Sequence, residues 1–225
     1  MEEEIEPEEK IKRYLGKISD EKRLIVVLEN AALETVKMGH SFQLLNSDKH
    51  QTILKKYNRD LNSARPDIVH QCLMMLLDSP LNQSGHLQIF IRTQRNVLIQ
   101  VNPQIRIPRT FERFCGLIIQ LLHKMSIKAS GTGKKLLKVI KNPVTDHFPP
   151  NCKKIVTSWK SEKIVKVREI VPSNSPIVVV VGAMAHGSIN IDYEEDKISV
   201  SQFPLSAALV CAKLCTGFEE TWNIT

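Results

Sequence analysis

Three arginines stand close together in Asn102-Pro103-Gln104-Ile105-Arg106-Ile107-Pro108-Arg109-Thr110-Phe111-Glu112-Arg113. Arg109 and Arg113 are one helical turn apart, and Pro108 stiffens the corner that carries them, which lowers the entropy lost when the corner is fixed on a ligand. A guanidinium is a planar fork of donors matched to phosphate oxygens and base edges. The pattern reads as an RNA or phosphate contact. A salt-bridged helix start, with Glu112 as the partner, is the simpler alternative.

The C-terminal third carries a second pattern. The apolar run Ile177 to Val181 leads into Gly182-Ala183-Met184-Ala185-His186-Gly187, and a strand-like run at 198–201 leads into Phe203-Pro204-Leu205-Ser206-Ala207-Ala208. Ligands of open α/β sheets bind at the carboxyl ends of strands, where the loops turn away. Two glycines five residues apart let the backbone bend closely around a flat ligand. Two bent loops of small and apolar residues would make an adenine pocket; a pair of ordinary glycine turns is the plainer reading.

Other motifs fail on inspection. Gly131-Thr132-Gly133-Lys134-Lys135 resembles half a phosphate loop, but a P-loop needs Gly at 128 and Ser or Thr at 135, where this chain has lysines. There is no GxSxG elbow, which argues against a hydrolase of that type. His70, His86, His123, His147 and His186 show no metal-ligand spacing with Cys or carboxylates, so no metal is expected.

Loops of this kind need a buried sheet to hold them. Arg23 to Leu28 is a short apolar run, read as a buried strand, and Pro176 to Val181 is too apolar for a sheet edge. Leu87 to Arg92 and Asn96 to Val101 read as a hairpin. Leu136 to Ile140 and Ile198 to Ser201 are further strand candidates. Apolar residues at 68, 69, 72, 73, 76 and 77 mark a helix after Arg65-Pro66-Asp67. Phe111, Phe114, Cys115, Ile118, Leu121, Leu122 and Met125 mark another over 110–125. Residues 163–171 look helical, and Pro204 opens a last helix with a stripe at Ala207, Cys211, Leu214, Phe218 and Trp222. Residues 29–63 are helix-forming and loop-like, without clear boundaries. Apolar strands alternating with helices predict an α/β fold: a mostly parallel sheet with helices on both faces.

Composition agrees with one such domain. The 225 residues are 42% hydrophobic and 24% charged, enough for one core with insertions. With 5% aromatics, a broad stacking platform for single strands is not expected. The net charge of +7 is unevenly spread: residues 1–10 hold six Glu against one Lys, whereas residues 134–168 hold ten Lys or Arg against Asp146 and Glu162. A basic concentration of that kind draws polyanions, although a solvated lysine-rich face has the same composition. The domain reading is a disordered acidic tail and lead-in over 1–20, then a single domain over 21–225. Five cysteines without a CxxC pair, no signal-like N-terminus and no membrane-length apolar run predict a soluble intracellular protein with reduced thiols.

Longer strings carry a resemblance. Ala64-Arg65-Pro66-Asp67, His70-Gln71, Leu77-Asp78-Ser79-Pro80-Leu81-Asn82, residues 102–111, Leu121-Leu122-His123-Lys124, Leu136 to Pro143, Val181 to Gly187 and Pro204-Leu205-Ser206-Ala207 resemble, in order, the Emg1/Nep1 family. The similarity runs over about residues 22–225. It implies a SPOUT-type domain with insertions, whose C-terminal chain forms a trefoil knot. It implies a homodimer that uses S-adenosylmethionine, without a metal, to methylate N1 of a pseudouridine in small-subunit ribosomal RNA and its precursor. It also implies ribosome-assembly proteins as partners, no membrane, and a nuclear, nucleolar setting for a eukaryotic member or a cytoplasmic one otherwise. Carried over by motif, the methyl donor would touch Thr157, Gly182, Gly187, Val200, Ser201, Gln202, Phe203, Pro204 and Leu205. RNA would meet Arg65, Arg106, Arg109 and Arg113. Catalysis would involve Arg65, stabilising charge on the base, and Asp67, either orienting Arg65 or accepting the proton. Trp159 stands where the family more often has Phe. Three rivals remain: an assembly factor that binds RNA and donor without turnover, an enzyme with another RNA target or a tRNA substrate, and a protein-binding module of unrelated function.

Overall fold

The computed structural model describes residues 22–225. The acidic tail and lead-in expected over 1–20 lie outside them. The strands are β1 (Leu24–Ala31), β2 (Thr35–Met38), β3 (Ser41–Leu44), β4 (Leu87–Thr93), β5 (Leu98–Val101), β6 (Ser126–Lys128), β7 (Lys135–Ile140), β8 (Lys153–Thr157), β9 (Ile177–Gly182) and β10 (Asp196–Ile198). The helices are α1 (Gln51–Lys56), α2 (Pro66–Leu77), α3 (Pro80–Gln83), α4 (Phe111–Lys124), α5 (Val167–Ile170) and α6 (Ala207–Trp222), with a 3-10 turn at Val144–His147.

Eight strands form one sheet in the order β10-β8-β9-β1-β4-β5-β7-β6, with β2 and β3 as a separate hairpin. From β10 to β4 every pairing is parallel. From β4 outward through β5 and β7 to β6 every pairing is antiparallel. The centre is β1 between β9 and β4, and the continuous apolar runs belong there because both faces are covered. Alternation sorts the side chains: Leu24, Val26 and Leu28 enter one apolar cluster, Ile25 and Val27 the other.

The two faces are closed differently. α2, α4 and α6 all feed the first cluster. On the second face the cover is the 3-10 turn, Phe148 and the segment from Met184 to Tyr193, so the long helices are one-sided.

Local chemistry accounts for the helix starts. Pro66 and Asp67 occupy the first turn of α2, where a missing N–H costs nothing and a negative charge suits the helix dipole. α6 begins after Ser206, whose hydroxyl accepts from Leu209 N at 3.2 Å, rather than at Pro204. α6 packs on α2 and on α5, and a Cβ at Gly217 would sit only 2.5 Å from Val167 Cγ1.

Several expectations over short segments need correction. Residues 29–63 contain the β2–β3 hairpin and the short α1. The hairpin is mostly exposed, so it leaves no buried alternation to read. β8 begins with Lys153-Lys154 and was not anticipated, and neither was the three-residue β6. Of 163–171, only Val167–Ile170 is helical. Ile164 instead bridges Ser199 in parallel, with Val165 N donating to Ser199 O (2.9 Å) and Ser199 N to Lys163 O (2.8 Å). The last strand is Asp196–Ile198 rather than 198–201, because Ser199 Oγ donates to Ser201 O (2.7 Å) and turns the chain out of the sheet.

Candidate functional site

β8, β9 and β10 run in parallel and end side by side, and the segments leaving them enclose a cavity of about 680 Å³. Hydrogen bonds tie the strand ends together. Thr157 Oγ1 donates to Val180 O (3.0 Å), joining β8 to β9, and Ser158 N donates to Ile198 O (2.8 Å), joining β8 to β10. Beyond β10, Phe203 N donates to Ser201 Oγ (3.0 Å), which folds the next segment over the opening.

Of the residues expected at a donor site, Thr157, Gly182, Gly187, Val200, Ser201, Phe203, Pro204 and Leu205 line this cavity. Gln202 does not. Gly187 has φ +110°, a conformation that L side chains rarely adopt. Its absent side chain leaves the wall to Met184, whose Sδ lies 3.6 Å from where a Cβ would be. Ala207, Ala208 and Val210 of α6 form part of the wall, and small residues there keep the space open. Phe203 (73% exposed) and Trp159 (63% exposed) stand at the same cavity, largely in solvent.

α2 contributes the opposite wall, which the loop motifs did not reveal. Arg65, Ile68 and Gln71 all line the cavity, and their spacing of three puts them on one helix face. That spacing was the available signal for Ile68 and Gln71. Arg65 Nε donates to Asp67 Oδ1 (2.8 Å) and Arg65 Nη2 to Asp67 Oδ2 (2.6 Å). These hydrogen bonds make the Arg65 guanidinium hold its proton even more firmly than usual. Asp67 is outside the cavity lining and acts on it only through Arg65. The loop before Arg65 is anchored too, since Ala64 O accepts from Ser47 N (2.8 Å) and Ser47 Oγ (2.9 Å).

The other arginines lie on the far flank of α2. Arg106 and Arg109 line a second cavity of about 1220 Å³, between Leu73, Met74 and Leu77 of α2 and the segment 102–109. His70 fastens that segment: its Nε2 lies 2.7 Å from Pro108 O, and because a carbonyl only accepts, Nε2 carries the hydrogen. The His70 ring stacks on Phe114 at 4.6 Å. Arg109 pairs with Asp78 through Nη1–Oδ2 (2.5 Å) and Nη2–Oδ1 (3.1 Å). Glu112 pairs with Lys49, so the alternative of a salt-bridged helix start around Glu112 does not describe these arginines. Arg113 is exposed in the first turn of α4, outside both cavities. The structure thus brings Arg65 to the first cavity, Arg106 and Arg109 to the second, and leaves Arg113 on the surface.

Behind the first cavity lies a group that sequence reasoning missed. Glu29, at the end of β1, is 3% exposed and pairs with Arg92 at 3.4 Å. Burial raises its carboxyl above the usual range despite the opposing pull of Arg92. Its backbone carbonyl accepts from Ala183 N (2.7 Å), at the root of the segment 183–187. No local motif marks Glu29, because its partner is 63 residues away. Among the described residues no group of three or more His, Cys, Asp or Glu could hold a metal ion, and no helix is long and apolar enough to cross a membrane.

The sequence profile of the EMG1/NEP1 methyltransferase family matches residues 26–219. The chain is 62% identical over 203 residues to the human "Ribosomal RNA small subunit methyltransferase NEP1", covering 90% of this chain and 83% of that protein. It is 57% identical over 221 residues to the mouse protein of the same name, covering 98% and 91%. Its fold is similar to the crystal structure of Archaeoglobus fulgidus Nep1 bound to S-adenosylhomocysteine, with a TM-score of 0.75 at 24% identity, covering 89% of this chain and 98% of that one.

Proposed function

Because the chain belongs to the EMG1/NEP1 methyltransferase family, we propose that it transfers a methyl group from S-adenosylmethionine to N1 of a pseudouridine in small-subunit ribosomal RNA. The observation that carries this reading is the cavity at the ends of β8, β9 and β10, with Arg65 on its wall. The human and mouse relatives bear names that state the ribosomal RNA substrate, and the archaeal relative is described with the demethylated donor bound.

The residues present fit such a donor. The cavity volume lies within the few hundred to about 1,000 Å³ usual for small-molecule sites. Gly182 and Gly187 line the cavity without side chains of their own, and Val200, Pro204 and Leu205 supply apolar contact. Thr157 and Ser201 offer hydroxyl oxygens, and Phe203 stands at the opening; Gln202 would join only with a shift of its segment. When bound, the donor supplies an electrophilic methyl on a sulfonium that is its own leaving group, so no protein nucleophile is required.

The protein's task is then orientation and charge. Arg65 lines the cavity, where its guanidinium can bind a carbonyl oxygen of the target base and stabilise negative charge there. Asp67 fixes the direction of that guanidinium. Both Asp67 oxygens accept from Arg65, which favours positioning over proton removal by this carboxylate. Arg106, Arg109 and Arg113 would bind phosphates on the other flank of α2, holding the RNA in register while one base enters the cavity.

The wider reading follows the family. Residues 21–225 act as one methyltransferase domain, supported by the single eight-stranded sheet and the apolar cluster that joins α2, α4 and α6. The β9–β10 connection steps over β8, and α6 then returns against α2, which suits a knotted C-terminal chain. Ile164, Phe203 and Leu209 are large and exposed, and a homodimer would cover such side chains. On this reading the chain acts on the small-subunit precursor in the nucleolus, with ribosome-assembly proteins as partners.

The test is transfer of labelled methyl to two matched RNA stem-loops, one with uridine and one with pseudouridine at the target. Label on the pseudouridine RNA alone is expected. No label on either RNA, with donor binding intact by calorimetry, would overturn the enzymatic reading in favour of a non-catalytic assembly factor.

A further inference from the structure

The basic stretch 134–168 divides in two in the folded chain. In its second half, Lys154 pairs with Glu195 and Lys163 with Asp196, while the neighbouring Lys197 pairs with Glu194. The first half belongs to a different surface. Between Glu112 and Asp146 the sequence has no carboxylate at all. Lys124, Lys128, Lys134, Lys135, Lys138 and Lys141 accordingly make no ion pair among the described residues.

These lysines are arranged by the antiparallel wing. Lys128 on β6 stands directly opposite Lys135 on β7, and Lys138 is opposite Ser126 on one side and Gln100 of β5 on the other. All three lysines are exposed, whereas Ile127, Leu137 and Val101 point to the apolar face. The parallel half of the sheet has its second face covered by the 3-10 turn and the segment 184–193, but here the outer face carries lysines. Like charges directly opposite in a sheet are unfavourable. The arrangement becomes favourable when an anion lies across it.

The wing is continuous with the arginine corner. Asn102 N donates to Leu136 O (2.9 Å), Asn102 Nδ2 to Lys135 O (3.2 Å), and Lys134 Nζ to Gln104 Oε1 (2.5 Å). Lys134 and Lys135 are thereby pinned beside the segment that carries Arg106. The turn between β6 and β7 holds Gly131 (φ +85°) and Gly133 (φ +65°), and nothing lies within 4 Å of where a Cβ would be at either.

We propose that the outer face of the β5–β7–β6 wing is a second RNA contact, gripping the phosphate backbone of a duplex stem that extends away from the methylated nucleotide. The proposal rests on the reading of the chain as an RNA methyltransferase and extends its footprint beyond the arginine corner. Lys128, Lys135 and Lys138 supply charge without base contacts, so this face sets affinity and orientation and leaves sequence choice to the arginine side. Lysines on an edge strand can also serve only to prevent edge-to-edge pairing of sheets. That role needs one or two of them and no continuity with Arg106.

The test uses the full chain and two pseudouridine hairpins, one with a stem of a few base pairs and one with a stem of about two helical turns. The triple variant Lys128→Ala/Lys135→Ala/Lys138→Ala is compared with Lys154→Ala/Lys163→Ala/Lys197→Ala, which removes the same charge elsewhere. For the long-stem RNA the first variant should bind at least tenfold more weakly. Its plot of log affinity against log salt should be shallower by about 2 to 3, the slope expected for that many lost phosphate contacts. Its short-hairpin affinity and its kcat at saturating RNA should stay within twofold of the parent. Unchanged affinity and salt slope in a variant with the parent's melting temperature would overturn the proposal, and so would equal losses in both triple variants. Parental binding together with self-association in sedimentation would assign the lysines to edge protection instead. Binding is read without donor, so a parent chain that grips the long stem but transfers no methyl would defeat the catalytic reading and leave this one standing.

Discussion

Arg65 and Asp67 are locked together by two hydrogen bonds that engage both carboxylate oxygens, at 2.8 and 2.6 Å, and only the arginine faces the cavity. The pair spans the boundary of α2, with Arg65 at the N-cap and Asp67 in the first turn. The helix start therefore fixes the carboxylate, and the carboxylate fixes the guanidinium.

If Asp67 positions Arg65, then Asp67→Asn should release it, because an amide offers one acceptor where the guanidinium needs two. Loss of one well-placed charge-stabilising donor lowers turnover on the order of 100-fold. We expect that fall in kcat for both Asp67→Asn and Arg65→Lys, with donor affinity by calorimetry within twofold and an unchanged shape of the pH–rate profile. Full turnover in Asp67→Asn would remove the residue from catalysis altogether.

Gly187→Ala should weaken donor binding while leaving the fold intact. A side chain at φ +110° costs of order 1–3 kcal/mol, and the segment can relieve it only by moving off the cavity. Calorimetry should show roughly tenfold weaker binding, with little change in melting temperature. Unaltered affinity would mean that the 183–187 segment is not part of the donor site.

The contact between α6 and α5 is tight enough to test by itself. Gly217→Ala puts a Cβ 2.5 Å from Val167 Cγ1 and 2.7 Å from Val167 Cβ, so one element must shift. Overpacking of this sort costs about 1–3 kcal/mol. Val167→Ala in the same chain should restore part of the loss, because it removes the Cγ1 that is struck and leaves only the Cβ contact at 2.7 Å. Equilibrium denaturation of the two single variants and the double would read this coupling, and strict additivity would argue against it.

Glu29 makes stability depend on pH in a predictable direction. Burial is the largest influence on its carboxyl and raises it, with Arg92 opposing. The folded state then binds this proton more tightly than the unfolded state does. The associated stability is present below the ordinary carboxylate range and is lost as pH rises through the raised value. Glu29→Gln, which carries no such charge, should gain in relative stability as pH rises from the ordinary carboxylate range through the raised value. Urea midpoints across that range would check it, and a constant offset from the parent chain would refute it. Among the described residues Glu29 Oε2 has no hydrogen-bond partner, which adds to the cost of the ionised form.

Legibility followed locality. β1 and β9 could be read because a strand covered on both faces must be apolar throughout, and α2, α4 and α6 because each buries a stripe at helical spacing. The β2–β3 hairpin and β8 could not, since the first is mostly exposed and the second has only a few residues that face the interior. Of the nine residues expected at the donor cavity, eight line it, and the ninth, Gln202, sits among them in sequence but not in the lining.

By itself the sequence determined which runs are buried, which stripe each long helix buries, and which motif strings belong to the EMG1/NEP1 family. It also held the absence of carboxylates between Glu112 and Asp146. Tertiary structure alone decided the pairings. Glu112 takes Lys49 and not a neighbouring arginine, Glu29 meets Arg92, and among the described residues Lys154 of β8 and Lys197 of β10 find carboxylates while the lysines of β6 and β7 do not. Burial and helix phase are set by residues a few positions apart, so they are written locally. An ion pair instead depends on which distant segments the sheet order brings within a few ångströms, and no spacing along the chain encodes that distance.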